Sequence, residues 1–490
     1  MPMKPSHAVK TIPVALLATL VLLLPAHARA STSQVTIMED DAQTVVVSDA
    51  HRAKYLNEMK SLGADVVKVR VRWRDIAPKP TKKHRPHGFN GANPNDYPTV
   101  NWNQYDAVVR AIVARGMQPY LSLAGPAPRW ASGRSDVERP KAKEFKRFAK
   151  AVGTRYSGSF KRGGITLPRV IIWSVWNEAN LVNWLAPQYV GHRLEAPRIY
   201  RGLMLAAHSG LVASGHGGDQ FLFGELLPFA RAGQERFRIR PIAFLREMAC
   251  VDSHYHPYSG STAKEHGCDK FKPLPGTGFA YHPYTYAGGP DVHAPNSDEA
   301  SIGDLGRVFS ALDRLSNEHR FKVHRLPVWV TEFGFQSDPP DQYAAPLKRI
   351  PGYMGEAEWL AYRNPRVASY SQYPLVDDPG QSGGFQSGLR RHSGKKKPHV
   401  YPAFRLPLFV QERSGKVVEV FGGVRTGTPG ELVTIQSRLG SGKWGALPGG
   451  TVALNSEGYF DRVFTISGAS KRRYRFVFPG GKSRTANVHH

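Results

Sequence analysis

From about residue 34 to 410 this chain alternates short, β-rich apolar runs with longer stretches of helical periodicity, a pattern that favours parallel βαβ units over an antiparallel sandwich. Eight runs read as strands: Gln34 to Glu39, Val66 to Trp73, Met117 to Leu123, Val170 to Trp176, Phe221 to Glu225, Gly278 to His282, Pro327 to Glu332 and Val367 to Tyr373. Between them, stretches such as Ala50 to Leu62, Asn103 to Arg115, Lys143 to Tyr156, Arg198 to Val212 and Ile302 to His319 read as helices, several with apolar residues at helical spacing. Eight strands with intervening helices predict a closed (β/α)8 barrel, whose C-terminal strand ends all open onto one face.

After Leu408 the character changes. Short alternating runs, Val417 to Phe421, Leu432 to Gln436, Gly458 to Ile466 and Tyr474 to Phe478, are separated by turn signals at Thr428-Pro429-Gly430 and Pro448-Gly449-Gly450. They predict a small antiparallel β-sandwich over 415–490, appended to a barrel over 31–410. With 490 residues the chain exceeds what one core usually holds, in keeping with two units. Trp444 and Tyr459 of the second unit read either as carbohydrate contacts or as packing.

The first 30 residues read as a secretory leader: Lys4 and Lys10, an apolar run from Ile12 to Leu24, then Ala28-Arg29-Ala30. The run is short for a bilayer about 30 Å thick, so cleavage and a secreted protein, extracellular or in the cell envelope, are expected, with no membrane span. In an exported chain Cys250 and Cys268 are expected to form a structural disulfide, since neither has metal-ligand spacing. The net charge of +27 includes Lys4, Lys10 and Arg29 of the leader with no acid beside them, which leaves a strongly basic remainder. Such a field attracts polyanions, an acidic polysaccharide among them, or simply keeps the surface solvated. Nucleic-acid binding would rest on charge alone and conflicts with export.

Two of the eight runs end in the same way. Val170-Ile171-Ile172-Trp173-Ser174-Val175-Trp176-Asn177-Glu178 places a carboxylate at the mouth of the fourth strand, and Leu326-Pro327-Val328-Trp329-Val330-Thr331-Glu332 places one at the mouth of the seventh. A lone strand-end Glu is more often a surface residue or a helix cap. Two carboxyl groups converging about 5 Å apart are what hydrolysis of a glycosidic bond with retention requires, one as proton donor and one as nucleophile.

The segments Trp176-Asn177-Glu178-Ala179-Asn180 and Trp329-Val330-Thr331-Glu332-Phe333-Gly334 resemble glycoside hydrolase clan A, whose TIM barrels carry an Asn-Glu pair after strand four and a nucleophilic Glu after strand seven. The resemblance covers roughly residues 34 to 410. It implies Glu178 as acid/base, Glu332 as nucleophile and Asn177 as donor to the sugar 2-hydroxyl. Ala280-Tyr281-His282-Pro283-Tyr284 at the end of strand six is similar to family 39, which includes β-xylosidases and α-iduronidases. By that resemblance Tyr284 hydrogen-bonds the nucleophile and His282 contacts a sugar or the acid/base. The chain departs from the clan at strand eight, where Tyr370-Ser371-Gln372-Tyr373-Pro374 has no tryptophan, leaving Tyr373 as a candidate substitute.

Trp130 and Trp184, in the loops after strands three and four, read as sugar-stacking surfaces or as loop packing. Glu225, ending strand five, reads as a support beneath the site or as a substrate contact. The strict alternation of Val66 to Trp73 puts Lys68, Arg70 and Arg72 on one face, either contacting an acidic substrate or forming an inward salt-bridge layer. No cofactor or metal motif stands out; His254 and His256 lie in the cysteine-bounded loop without a matching carboxylate motif. The expected reaction is hydrolysis of a poly- or oligosaccharide by double displacement. The rival expectation is an exported, non-catalytic protein that binds a polysaccharide or the cell envelope.

Overall fold

All eight expected runs are strands, and they pair in parallel around a closed ring. The structure, a computed structural model, describes residues 34–490 apart from 231, 232, 234, 287, 341–343 and 381–383, so the expected leader lies outside the described residues. The barrel strands are β1 (Val35–Glu39), β2 (Val66–Arg72), β3 (Gln118–Ala124), β4 (Ile172–Val175), β5 (Gln220–Leu226), β6 (Gly278–Tyr281), β7 (Val328–Val330) and β8 (Val367–Gln372). Helices α1 (Asp49–Ser61), α2 (Thr99–Val113), α3 (Ala142–Arg155), α4 (Ala196–Val212), α5 (Pro241–Met248), α6 (Leu305–Asn317) and α7 (Ile350–Tyr362) each follow one of the first seven strands, and the short α8 (Val400–Arg405) follows β8.

Strand alternation sorts the side chains. Outward residues such as Val67, Val69, Val71 and Trp173 meet the helices in one large apolar cluster. Inward residues fill the barrel in layers. The bottom layer is apolar: Ile37, Val66, Tyr120, Ile172, Leu222, Ala280 and Trp329 pack together. One pleat higher the same faces turn polar, with Glu39, Lys68, Ser122 and Ser174 buried inside the ring. The layer change is written in the alternation itself, since Val66 and Lys68 are two residues apart on one face.

On β5 that alternation would turn Glu225 outward, because Leu222 faces in. The register against β6 slips after Gly224, which pairs with Ala280 while Leu226 pairs with Tyr281. This bulge, with Gly224 at φ +112° and Glu225 at φ +50°, re-aims Glu225 into the barrel. Only glycine fits at 224, because a Cβ there would lie 2.4 Å from the Ala280 carbonyl oxygen.

The C-terminal unit is a sandwich of antiparallel sheets. One sheet pairs β9 (Leu408–Ser414), β10 (Val417–Gly423) and β13 (Tyr459–Thr465). The other is built on β11 (Leu432–Leu439), β12 (Gly445–Ala453) and β14 (Arg472–Phe478), with the two-residue β15 (Gly481–Lys482) and β16 (Ala486–Asn487) along β14. Their inner faces share Val410, Val420, Val433, Ile435, Phe460 and Phe476. Pro448-Gly449-Gly450, expected as a turn, instead lies inside β12. The β11 register jumps there from Thr434 opposite Thr451 to Gln436 opposite Ala446, so the Pro-Gly-Gly run bulges out of the ladder without ending the strand. The first sheet also covers the barrel: Phe409, Phe421 and Tyr459 pack on Trp359 and Tyr362 of α7.

Candidate active site

At the mouth of the barrel the ends of β4, β5, β6 and β7 are stitched by their backbones. The Glu178 amide donates to the Glu225 carbonyl (2.8 Å), the His282 amide to Leu226 (3.1 Å) and the Thr331 amide to Tyr281 (3.1 Å). Three residues here occupy the left-handed region: Trp176 at φ +69°, Glu178 at +40° and Glu225 at +50°. Such positions cost about 1–3 kcal/mol each and persist only where surroundings over-determine them, a condition met most often at functional sites.

These turns bring Glu178, His282 and Glu332 together, with a ligating atom of each within 4.8 Å of the others. His282 is the hub. Its Nε2 lies 2.6 Å from Glu225 Oε2, and its Nδ1 lies 3.2 Å from Glu178 Oε1 and 3.7 Å from Glu332 Oε2. The Tyr284 hydroxyl donates to Glu332 Oε1 at 2.8 Å. Beneath them, the Lys68 ammonium touches Glu225 (3.0 Å), Glu39 (3.1 Å) and Glu332 (3.9 Å). Glu225 further accepts from Ser174 (2.6 Å), Thr331 (2.7 Å) and the Tyr120 hydroxyl.

The charges follow from these contacts. Burial alone would raise the Glu225 carboxyl, but Lys68 and His282 overcome it and hold it well below the usual carboxylate range. Glu332 is held low in the same way: burial opposes its charge, while His282, Lys68, Arg70 and the Tyr284 hydroxyl favour it. For His282, burial disfavours the cation, yet Glu332 and the bonds to Glu178 and Glu225 push it up to about 10. Both His282 nitrogens lie against carboxylate oxygens, Nε2 on Glu225 and Nδ1 on Glu178, an arrangement that suits an imidazole passing protons between them. Glu39 is the exception among the buried acids, since burial outweighs Lys68 and Arg70 and raises it to about 7.

Several sequence-derived assignments move. Lys68 has no solvent exposure and its ammonium lies against three carboxylates beneath the site, the contacts of an inward salt-bridge layer. Arg70 is 9% exposed and bonded to Glu39 (2.9 Å) and Asp41 (3.1 Å), the inward salt-bridge layer of the two readings. Glu225 is fully buried beneath Glu178 and His282. Trp130 is a core residue: 3% exposed, it donates to the Pro78 carbonyl (3.0 Å) and meets Trp73 and Phe89 edge to face. Asn177 lies beside Glu178 with its Oδ1 buried and without a hydrogen-bond partner. Tyr373 is buried against Phe385 and the Arg70 guanidinium. Cys250 and Cys268 form a disulfide.

A cleft of about 1300 Å³ opens from Glu178 and Tyr284 across the β4 to β8 loops. Trp184 lines it, as do Phe229 and Tyr286, two rings that no motif marks, stacked at 4.7 Å and 17°. Their signal was positional: each lies within a few residues of a strand's C-terminal end, where barrel loops build sites. Arg238 and Arg240 also reach the cleft, the latter beside Glu299 at 3.3 Å.

No protein-family model matches the chain, and no curated protein matches it in sequence. Solved structures do match in fold. A glucosidase from Croceicoccus marinus aligns over 93% of this chain and 97% of its own at 10% identity, with a TM-score of 0.50. A β-glucosidase of Trichoderma reesei in complex with Tris covers 76% of this chain and 97% of its own at 12% identity, TM-score 0.42. A tri-modular endo-β-1,4-glucanase from Bacillus licheniformis covers 93% and 78% at 14% identity, TM-score 0.43.

Proposed function

We propose that the chain is an exported glycoside hydrolase that cleaves a poly- or oligosaccharide with retention of anomeric configuration. The observation that carries this reading is the approach of the Glu178 and Glu332 carboxylates to within 4.8 Å at the barrel mouth. That separation belongs to the class, about 5–5.5 Å, in which one carboxylate attacks the sugar directly; an inverting pair stands about 6.5–9.5 Å apart to admit water.

In this mechanism Glu332, ionised and oriented by Tyr284, attacks the anomeric carbon. Glu178, proton-linked to His282 across 3.2 Å, protonates the departing oxygen. Water, activated by Glu178 as base, then releases the sugar from the Glu332 ester. The cleft on the Glu178 side, with Trp184 and the Phe229–Tyr286 stack, would receive the leaving-group sugar on aromatic surface. Within clan A the His282-Pro283-Tyr284 turn favours a family 39 type of enzyme, and the barrel shared with the Croceicoccus marinus glucosidase suits the reading. The pairing of Lys68 and Arg70 with carboxylates removes the argument for an acidic sugar at the cleaved bond.

Reducing-sugar release from a panel of neutral and acidic polysaccharides, with the product anomer followed by proton NMR, tests the proposal. Wild type should release sugar with retention, and Glu332→Gln should lose about 10⁴-fold or more in kcat. Glu178→Gln should lose about 10²–10⁴-fold on substrates that need leaving-group protonation, and little on activated aryl glycosides. Inversion, or full activity in either variant, overturns it.

A further inference from the structure

The two sheets of the sandwich have unequal surroundings. The β9–β10–β13 sheet is covered on both faces, by its partner sheet and by α7 of the barrel. Among the described residues no cluster of buried apolar residues forms on the outer face of the β11–β12–β14 sheet, and Trp444 lies across it. Alternation gives this face Thr434, Gln436 and Arg438 from β11 and Arg473, Arg475 and Val477 from β14, while Val433, Ile435, Tyr474 and Phe476 point inward. Lys443 and Trp444 lie in the β11–β12 turn and Lys482 on β15.

The charge on this face is one-sided. Neither 432–453 nor 462–490 contains a single Asp or Glu, which leaves Arg438, Lys443, Arg473, Arg475 and Lys482 without an acidic neighbour in sequence. Among the described residues none of the five has an acidic partner in space either. Arg438 stands directly opposite Arg473 in the antiparallel ladder, a like-charge pair that destabilises a sheet. The guanidiniums are also ordered: Arg438 and Arg475 lie over the Trp444 ring at 4.8 and 4.3 Å, and Arg475 Nε donates to Gln436 at 2.8 Å. Stacking a guanidinium on an indole fixes its plane and leaves N–H donors at its edge, in the fork that matches a carboxylate. Trp444 is half-buried, and the indole offers the apolar surface on which the C–H face of a pyranose packs.

We infer that the outer face of this sheet, centred on Trp444 between Arg438 and Arg475, is a docking surface for a uronic-acid-bearing polysaccharide, held to the enzyme at a distance from the barrel mouth. The inference rests on the reading of the barrel as a polysaccharide hydrolase and adds where an acidic chain is held. Carboxylates would pair with the guanidinium forks while sugar rings pack beside the indole. A mere basic field would need neither the aromatic centre nor the ordered arginines.

Binding of polygalacturonate, dextran and duplex DNA to the full chain carrying Glu332→Gln, at physiological ionic strength, reads this surface without turnover. Failure here is therefore separable from failure of the hydrolase proposal, which is read from bond cleavage. Arg438→Gln with Arg475→Gln should weaken polygalacturonate binding about tenfold or more. Lys82→Gln with Lys83→Gln, an equal charge loss in an exposed barrel loop, should weaken it less than about twofold. Trp444→Ala should lower polygalacturonate binding and leave DNA unaffected. Should the double arginine variant melt early, the exposed Arg473→Gln reads the same surface. Equal losses in both charge pairs, DNA bound as tightly with the same residue dependence, or no polygalacturonate binding by the parent overturns the inference.

Discussion

At the barrel mouth Glu39, Lys68, Glu225 and His282 are almost without solvent exposure and hold one another through ion pairs, whereas the sandwich packs Val433, Ile435, Phe460 and Phe476 against one another with no charge among them. Its buried charges lie at the seam with the barrel: Arg425 pairs with Glu358, to which Tyr459 also donates at 2.6 Å, and Glu419 pairs with Arg413 and accepts from the Trp359 indole at 2.9 Å. Removing a charge from water costs several kcal/mol, and pairing repays that cost only when the remaining hydrogen bonds are made. Glu225 meets the condition with five side-chain partners, Lys68, Tyr120, Ser174, His282 and Thr331. The core between the two sheets does not incur the cost, and the buried charges of the sandwich, Glu419 and Arg425, are confined to its side facing α7, where each is paired. Stability in the two regions therefore has different origins, and so does sensitivity to pH.

The largest effect expected from this contrast is at Lys68. Lys68→Met leaves Glu39 and Glu225 buried without their shared cation, a break of the kind that costs about 3–5 kcal/mol of stability. It also removes a group that favours the charged form of Glu332, so the nucleophile's carboxyl should rise and the acidic limb of kcat/KM should move to higher pH, by about one unit. Activity measured against pH on folded protein below its melting temperature checks this. An unmoved acidic limb would mean that Lys68 supports the fold alone.

Phe476→Ala probes the other side of the comparison. Phe476 is fully buried between the sheets and meets Phe460 edge to face at 5.3 Å. Deleting its ring should cost about 3–4 kcal/mol, seen as a lower melting temperature, with kcat and the acidic limb unchanged at permissive temperature. A shift in the limb would show that sandwich packing reaches the barrel mouth through α7.

Legibility in the sequence divides along the same line. The barrel strands are visible because β-rich apolar runs bounded by helical spacing have few other uses, and Glu178 and Glu332 are visible because each breaks such a run abruptly. Lys68 and Trp130 stay ambiguous in the sequence for a shared reason: a charged residue on an inward face and an aromatic residue in a loop look alike whether they meet a substrate or the protein. Glu39 and Thr331 leave no signal at all, since their roles come from β1, β5 and β7 meeting in space. The inward turn of Glu225 depends on a one-residue bulge that no periodicity foretells. In β12, Pro448-Gly449-Gly450 imitates a turn because a bulge needs the same residues.

The smallest expected effect belongs to Glu39, where the pairing is least complete. Its carboxyl titrates near 7 in the folded chain against 4.5 for an ordinary glutamate, so the folded state holds a proton that the unfolded chain gives up. A raised carboxyl of this kind contributes stability that is fully present below 4.5 and is lost as the pH rises through 7. Glu39→Gln cannot ionise and should lack that decline. Between pH 5 and 8 its unfolding free energy should fall less than that of wild type, by roughly 2–3 kcal/mol, read as a smaller drop in melting temperature. The Phe476→Ala protein should keep the wild-type slope although it melts lower throughout. Parallel slopes for Glu39→Gln and wild type would instead mean that Lys68 and Arg70 keep Glu39 ionised over the whole range, and the barrel mouth would then carry one more fixed negative charge than its contacts imply.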